Sequence, residues 1–423
     1  MTLPSSKFLR RLMKLRSTPL IPFLLLAASH ASFGLGFRLA DEDAAATARG
    51  NAFTATADNP SAVYYNPAGI TQLNGFNFRT GTYGVTFDEQ VHAGGERFDA
   101  VYNPQVVPTM YMTWKPKNDS PVAFGLGVFT PFGLSLKYND DNPFRTTAIE
   151  GSLKFVTVAP VMAWQITPSL SIAAGPNINY SDVTLVRGII KPGDQFRFSG
   201  SDTSAGGEFG IRWAPTPQHS FGFTYHSATG MQYRGLAQTK FDDVVVPVQV
   251  APGVVVPFRA VKGMNTTQQA EAKFHIPQFM MAGYSFRPTP DWNFEVDVDY
   301  TDWDSLNNVT LTQRSGTITL PFNYHSSFMY EFGVTRNFGT WHVSAGYMYS
   351  QNSVPNEYFN PLVPDSNRHV VSVGVGRKIE HWSWDLAYQF AYGPSRTVTE
   401  GTPADGSYRF NSSALNLSIG YTF

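Results

Sequence analysis

Ala414-Leu-Asn-Leu-Ser-Ile-Gly-Tyr-Thr-Phe423 closes the chain with strict alternation. Leu415, Leu417, Ile419, Tyr421 and Phe423 fall on one face, and Ala414, Asn416, Ser418, Gly420 and Thr422 fall on the other. Successive side chains of a strand point to opposite faces, so this period of two makes a strand with one apolar side. The same pattern places Trp382, Trp384, Leu386, Tyr388, Phe390 and Tyr392 opposite Ser383, Asp385, Ala387, Gln389 and Ala391. It also places Trp292, Phe294, Val296, Val298 and Tyr300 opposite Asn293, Glu295, Asp297, Asp299 and Thr301.

A soluble sandwich alternates too, so the connections decide. Fourteen strands are expected, beginning near residues 76, 105, 121, 152, 169, 204, 219, 271, 291, 326, 340, 368, 381 and 407. Six short links, near 115–120, 167–169, 215–218, 288–290, 337–339 and 378–380, alternate with seven long ones, of which 131–151 and 241–269 are the largest. Short turns on one rim and long loops on the other are the pattern of a transmembrane barrel. Hydrocarbon offers the backbone no hydrogen bonds, so a sheet in a membrane must close on itself. Trp and Tyr near strand ends fit the interfacial girdles. The fold expected is all-β: a 14-stranded antiparallel transmembrane β-barrel with residues 76–423 forming its wall.

Composition agrees. Charged residues are 15% and aromatics 14% of the 423, against about 25% charged in soluble domains. The longest apolar run, Leu20 to Ala28, contains Pro22 and is too short to cross a bilayer as a helix. It follows Lys7, Arg10, Arg11, Lys14 and Arg16 and precedes Ser29-His30-Ala31, so residues 1–31 read as a signal peptide cleaved after Ala31. Its removal leaves 26 basic residues against 32 acidic, a net charge of −6, which gives no footprint for nucleic acid. There is no cysteine, hence neither a lipoprotein anchor nor a disulfide. The location implied is the outer membrane of a Gram-negative cell, with lipid, lipopolysaccharide and the barrel-assembly machinery as surroundings and a monomer as the working unit.

Residues 32–75 do not alternate. Asp41 to Gly50 is Ala-rich, with acids in its first turn and Gly50 placed as a stop, and 61–69 reads as a short helix and a turn. Some forty residues with few charges need burial, and the barrel interior offers it: residues 32–75 form an N-terminal plug. On the strand near 152–166, Phe155, Ala159, Val161 and Ala163 make the lumen face apolar, unlike a water-filled pore. The stretches Val244-Val-Val-Pro-Val248 and Val254-Val-Val-Pro-Phe258 make a loop apolar as well, which marks either a binding surface or a self-packed hairpin.

No H-E-x-x-H, G-x-S-x-G, phosphate loop or G-x-G-x-x-G occurs, and the nine His are scattered, so the expectation is no enzyme, no cofactor and no metal. The ladder Glu295, Asp297 and Asp299 lacks the Gly and later Glu of a calcium loop; pairing with basic residues of the plug or wall is its commoner use.

Gly36-Phe-Arg-Leu39, Arg49-Gly-Asn-Ala52 and Ser61-Ala-Val-Tyr-Tyr-Asn-Pro-Ala-Gly69 resemble the hatch of the long-chain fatty acid and hydrocarbon transporter (FadL) family. The resemblance continues through Gly125-Leu-Gly-Val-Phe-Thr-Pro-Phe-Gly-Leu134, Tyr300-Thr-Asp-Trp303 and Leu362-Val-Pro-Asp-Ser-Asn-Arg-His369. It implies passive uptake of hydrophobic small molecules, with long-chain fatty acids first, aromatic hydrocarbons as an alternative, and a non-conducting receptor or adhesin as another. It further implies ligand capture among apolar loops, a lumen pocket, and lateral exit at a kinked third strand. Phe37 and Leu39 of the hatch, with Phe155 and Val161 of the wall, are the pocket candidates. Gly125 and Gly127, which weaken a strand, with Asn66, Pro67 and Ala68 carried over by motif, are the gate candidates. A carboxylate ligand would want a cation, for which Lys154, Arg145 and Arg187 are candidates.

Overall fold

The computed structural model describes residues 36–242, 244–260 and 265–423; the signal-peptide reading lies outside them. Fourteen strands close into a barrel. They are β1 Gly75–Ala93, β2 Gln105–Lys115, β3 Val122–Phe129 resuming as Gly133–Lys137, β4 Glu150–Thr167, β5 Leu170–Arg187 and β6 Gln195–Thr216. Then follow β7 His219–His226 resuming as Thr229–Lys240, β8 Thr266–Ile276 resuming as Phe279–Thr289, β9 Trp292–Thr301 and β10 Ser327–Phe338. The last four are β11 Trp341–Ser350, β12 Arg368–Ile379, β13 Trp382–Tyr392 and β14 Gly406–Thr422. Each pairs antiparallel with its neighbours in chain order, and β14 returns to β1 with Thr422 opposite Asn77 and Ser407 opposite His92. Among the described residues no helix is long and apolar enough to cross a membrane.

The expected count and order of strands hold. The largest boundary error is at β6, which begins at Gln195 and not near 204: its Gly- and Ser-rich run carries no clear period, and pairing with β5 and β7 makes it a strand. The 241–269 link contains its own hairpin, Val244–Ala251 with Val254–Ala260, which pairs with no other strand of the described residues. The faces are as the alternation demands. Leu415, Leu417 and Ile419 are exposed on the outer wall, while Asn416 and Ser418 are buried inside. On β4, Val156, Val158, Met162 and Trp164 face outward and Phe155, Ala159, Val161 and Ala163 inward.

The segment before β1 fills the lumen. It holds α1 Ala44–Thr47, α2 Ala62–Tyr65 and a 3-10 helix Pro67–Gln72. Asp43 caps α1 by accepting the Ala45 amide at 3.0 Å, the role for which an Asp before an Ala run is suited. The segment's hydrogen bonds go to the wall. Asp297 Oδ2 accepts the amides of Phe53 at 2.9 Å and Thr54 at 2.8 Å, and Glu295 Oε1 those of Ala55 at 2.7 Å and Thr56 at 3.1 Å. Arg38 pairs with Asp299, and Arg49 with Glu295 at 3.1 Å. On the far side Arg79 of β1 bridges Asp43 of the plug, at 2.5 Å, and Asp385 of β13, at 2.8 Å. The acidic ladder of β9 is therefore the hatch's anchor, since loop-like backbone buried in a lumen needs acceptors from the wall.

Candidate ligand-binding site

The third strand breaks, and the break is the first element of the site. Through Phe129 opposite Thr157 it pairs with β4; it resumes with Gly133 opposite Lys154. Four steps on β3 thus match three on β4, a one-residue bulge at Thr130-Pro131-Phe132. On the other side, pairing with β2 stops at Met110 opposite Val128. Residues Gln105 to Thr109 of β2 pair with β1 alone. Pro131 has no amide hydrogen to offer a ladder.

What β3 loses from β2 it regains from the hatch. The Leu39 amide donates to the Pro131 carbonyl and the Gly133 amide to the Phe37 carbonyl, both at 2.9 Å. The Thr130 amide donates to Glu42 Oε1 at 3.1 Å. Glu42 is buried, and that burial, reinforced by the charge of Asp41 against the opposing bond from Thr130, pushes its carboxyl up to about 8. Leu39 packs beside Gly133, where an added methyl would meet it at 3.1 Å.

The break does not coincide with the residues named as gate candidates. Gly125 and Gly127 lie where β3 is paired on both sides, with Thr113 and Tyr111 on β2 and with Val161 and Ala159 on β4. They make room for the hatch: a methyl at Gly125 would lie 2.8 Å from both Val63 and Val161, and one at Gly127 2.8 Å from Val63. The Asn66-Pro67-Ala68 turn sits against β6, not against the break. Asn66 Nδ2 donates to the carbonyls of Thr54 and Ile211, each at 2.9 Å, and Pro67 packs on Gly210. A glycine signals close approach without naming the partner, which here is a side chain of the plug.

The second element is an aromatic cluster beside the break. Phe37 lies edge-on to Trp303 with centroids 4.6 Å apart, and 5.7 Å from Phe274. Phe132, the residue that β3 turns inward, lies 6.2 Å from Phe37 and 5.6 Å from Phe155. Gly36 precedes Phe37 at φ +58°, with Trp303 only 2.8 Å from where a methyl would project; both the backbone and the space demand glycine. Of the four pocket candidates, Phe37, Leu39 and Phe155 gather here. Val161 lies lower on β4, against Gly125 and Gly175.

Phe37 also lines the third element, a cavity of about 130 Å³. Its walls include Leu153, Val183, Leu185, Phe198, Phe274, Leu311, Phe322 and Leu362. The polar residues among them are Ser152, Thr184, Tyr233 and Asn360. Tyr233 Oη already shares a hydrogen bond with Ser181 at 2.9 Å, and Thr184 Oγ1 one with Ser199 at 3.1 Å. Among the described residues no Lys or Arg lines this cavity. Lys154 points outward and is exposed. Arg145 is held by Asp140 at 2.7 Å and Asp194 at 3.0 Å. Arg187 lies over the Phe196 ring at 5.6 Å and does not line the cavity. None of the three carboxylate candidates is brought to the site. Sequence reading missed Phe132, Trp303 and Phe274, although Phe132 and Trp303 stand inside the quoted motifs. It also missed Glu42, which nothing local distinguishes from its neighbour Asp41.

Residues 24–423 match the model of the outer membrane protein transport proteins (OMPP1/FadL/TodX). The long-chain fatty acid transport protein of Escherichia coli K12 is 22% identical over 93% of this chain and 95% of its own. The structure of a Pseudomonas aeruginosa FadL homologue superposes with a TM-score of 0.79 at 17% identity, covering 92% of this chain and all of that one. The Ralstonia pickettii toluene transporter TbuX gives 0.69 at 17% identity, over 90% and 98%. With a closed, plugged fourteen-stranded barrel and a family match along nearly its whole length, this chain belongs to the OMPP1/FadL/TodX family of outer-membrane transport proteins.

Proposed function

We propose that the protein takes up uncharged hydrophobic molecules, binding them in the apolar cavity behind Phe37 and releasing them sideways into the bilayer at the β3 break. The cavity carries the reading. Burying hydrocarbon there gains about 25 cal/mol per Å² of apolar surface, whereas a buried carboxylate without a cation to pair it is penalised by several kcal/mol. Phe37 sits between cavity and break, with Phe132 and Leu39 next along the path. Ligand entering the cavity competes with Phe37 for apolar neighbours. Its displacement disturbs the two backbone bonds that Phe37 and Leu39 make to β3, which links occupancy to the opening. Exit to lipid also suits the ligand, since a hydrophobe gains nothing by entering the aqueous periplasm.

The E. coli relative favours a second reading, a long-chain fatty acid whose tail fills the cavity while its carboxylate stays among the outer loops. Equilibrium binding to the purified protein separates the two. Toluene or an alkane binding at least as tightly as oleate, with affinity independent of pH across the carboxylate range, supports the uncharged ligand. Oleate binding tenfold or more tightly would reverse the assignment.

A further inference from the structure

The wall carries a patch that uptake does not use. At the rim of short turns, the outward faces of β9 to β12 present two guanidinium groups among aromatic rings. Arg336 lies 5.0 Å from the Trp292 centroid and 4.6 Å from that of Phe338. Arg377 lies 4.7 Å from that of Trp341. The rings are contiguous across the sheet: Trp292 is directly opposite Arg336, Phe338 opposite Trp341, and Trp341 opposite Arg377.

Neither arginine is in an ion pair among the described residues, whereas two arginines that face the lumen at this rim are paired, Arg79 with Asp43 and Asp385 and Arg287 with Asp58. Arg377 Nε has only a 3.5 Å contact to the Thr340 hydroxyl. A ring holds a guanidinium by its flat face and leaves the N–H donors, which lie in its plane, pointing outward. Two such forks on a hydrocarbon-facing wall, at the level of the girdle, are costly to leave without an anion. Short turns face the periplasm in barrels of this kind, so the anion within reach is a head group of the inner leaflet.

We propose that Arg336 and Arg377, seated on Trp292, Phe338 and Trp341, form a binding site for the phosphate of an anionic phospholipid of the periplasmic leaflet. The guanidinium forks take the phosphate oxygens in paired hydrogen bonds, and the outer rings of β9 to β13 receive the acyl chains. The site is on the opposite side of the wall from the lumen and does not depend on what is transported.

The test uses purified, delipidated full-length protein in detergent, offered phosphatidylglycerol and phosphatidylcholine in competition, with retained lipid counted by native mass spectrometry. The wild type retains phosphatidylglycerol in about tenfold preference, and the R336Q/R377Q double variant loses that preference while K117Q, at another short turn, keeps it. Inorganic phosphate in excess leaves the preference intact, because the acyl chains are part of the ligand. Equal retention of the two lipids by the wild type, or an unchanged preference in R336Q/R377Q, overturns the proposal, and so does displacement by inorganic phosphate alone. If the Gln pair does not assemble, R336K/R377K decides: a preference reduced at least about threefold supports the paired-fork site, and an undiminished one contradicts it.

Discussion

Glu42 accepts the backbone amide of Thr130 at 3.1 Å, a hatch carboxyl closing the hydrogen-bond gap where β3 parts from β2. Burial raises this carboxyl to about 8, above its unfolded value. The stability it contributes is therefore complete below the ordinary carboxylate range and is lost as pH rises through about 8. Hydrogen exchange of hatch peptides around residues 37–47, corrected for the intrinsic rate, is expected to show protection falling between pH 6 and pH 9. Glu42→Gln flattens that dependence and keeps an acceptor for Thr130. The same fall in the Gln variant would show that another group controls the hatch.

Substituting Gly125 separates a spacing role from a gating role. A side chain there meets Val63 and Val161 at 2.8 Å, and overpacking of this kind costs about 1–3 kcal/mol. Gly125→Val should raise exchange in the peptide around residues 61–70 and leave the barrel resistant to detergent unfolding. Slowed uptake with unchanged hatch protection would return the gate to this glycine.

Because no Lys or Arg among the described residues lines the cavity, a null result is informative. Lys154→Ala and Arg187→Ala are each expected to leave binding of both toluene and oleate within about twofold of wild type, the scale of a solvent-exposed charge far from the ligand. A tenfold loss of oleate binding in either variant would mean that the carboxylate reaches that residue.

The barrel was legible because its physics is local. Alternation in 414–423, 382–392 and 292–301 depends only on which face meets lipid, and turn length depends only on whether two strands are directly joined. The hatch was legible as a segment that could not be a strand, and the ladder of β9 as its partner in charge. The site was read less well for a definite reason. The bulge at Thr130 to Phe132 is visible only as a mismatch between β3 and β4, which no single strand records. Gly125 announces that something approaches, and Val63 becomes its partner only when residues 62 apart in sequence meet. The cation candidates stand away from the cavity for a similar reason: Lys154 is one residue out of phase with the lumen-facing Phe155, and Arg145 is committed to Asp140 of its own loop and to Asp194 of the loop between β5 and β6.

The central claim is that ligand leaves through the wall at the bulge of β3, and deletion of Pro131 tests it most directly. Removing one residue equalises the count between Phe129–Thr157 and Gly133–Lys154, and removing this one leaves β3 with an amide hydrogen at each position from Val122 to Lys137. Uptake of radiolabelled hydrophobe by cells carrying the deletion is expected to fall at least about tenfold, the effect of closing a path and not of weakening one contact. Affinity of the purified deletion variant for the same ligand should stay within about threefold, since the cavity walls are retained. Undiminished uptake by a correctly assembled deletion variant would contradict lateral exit at this strand.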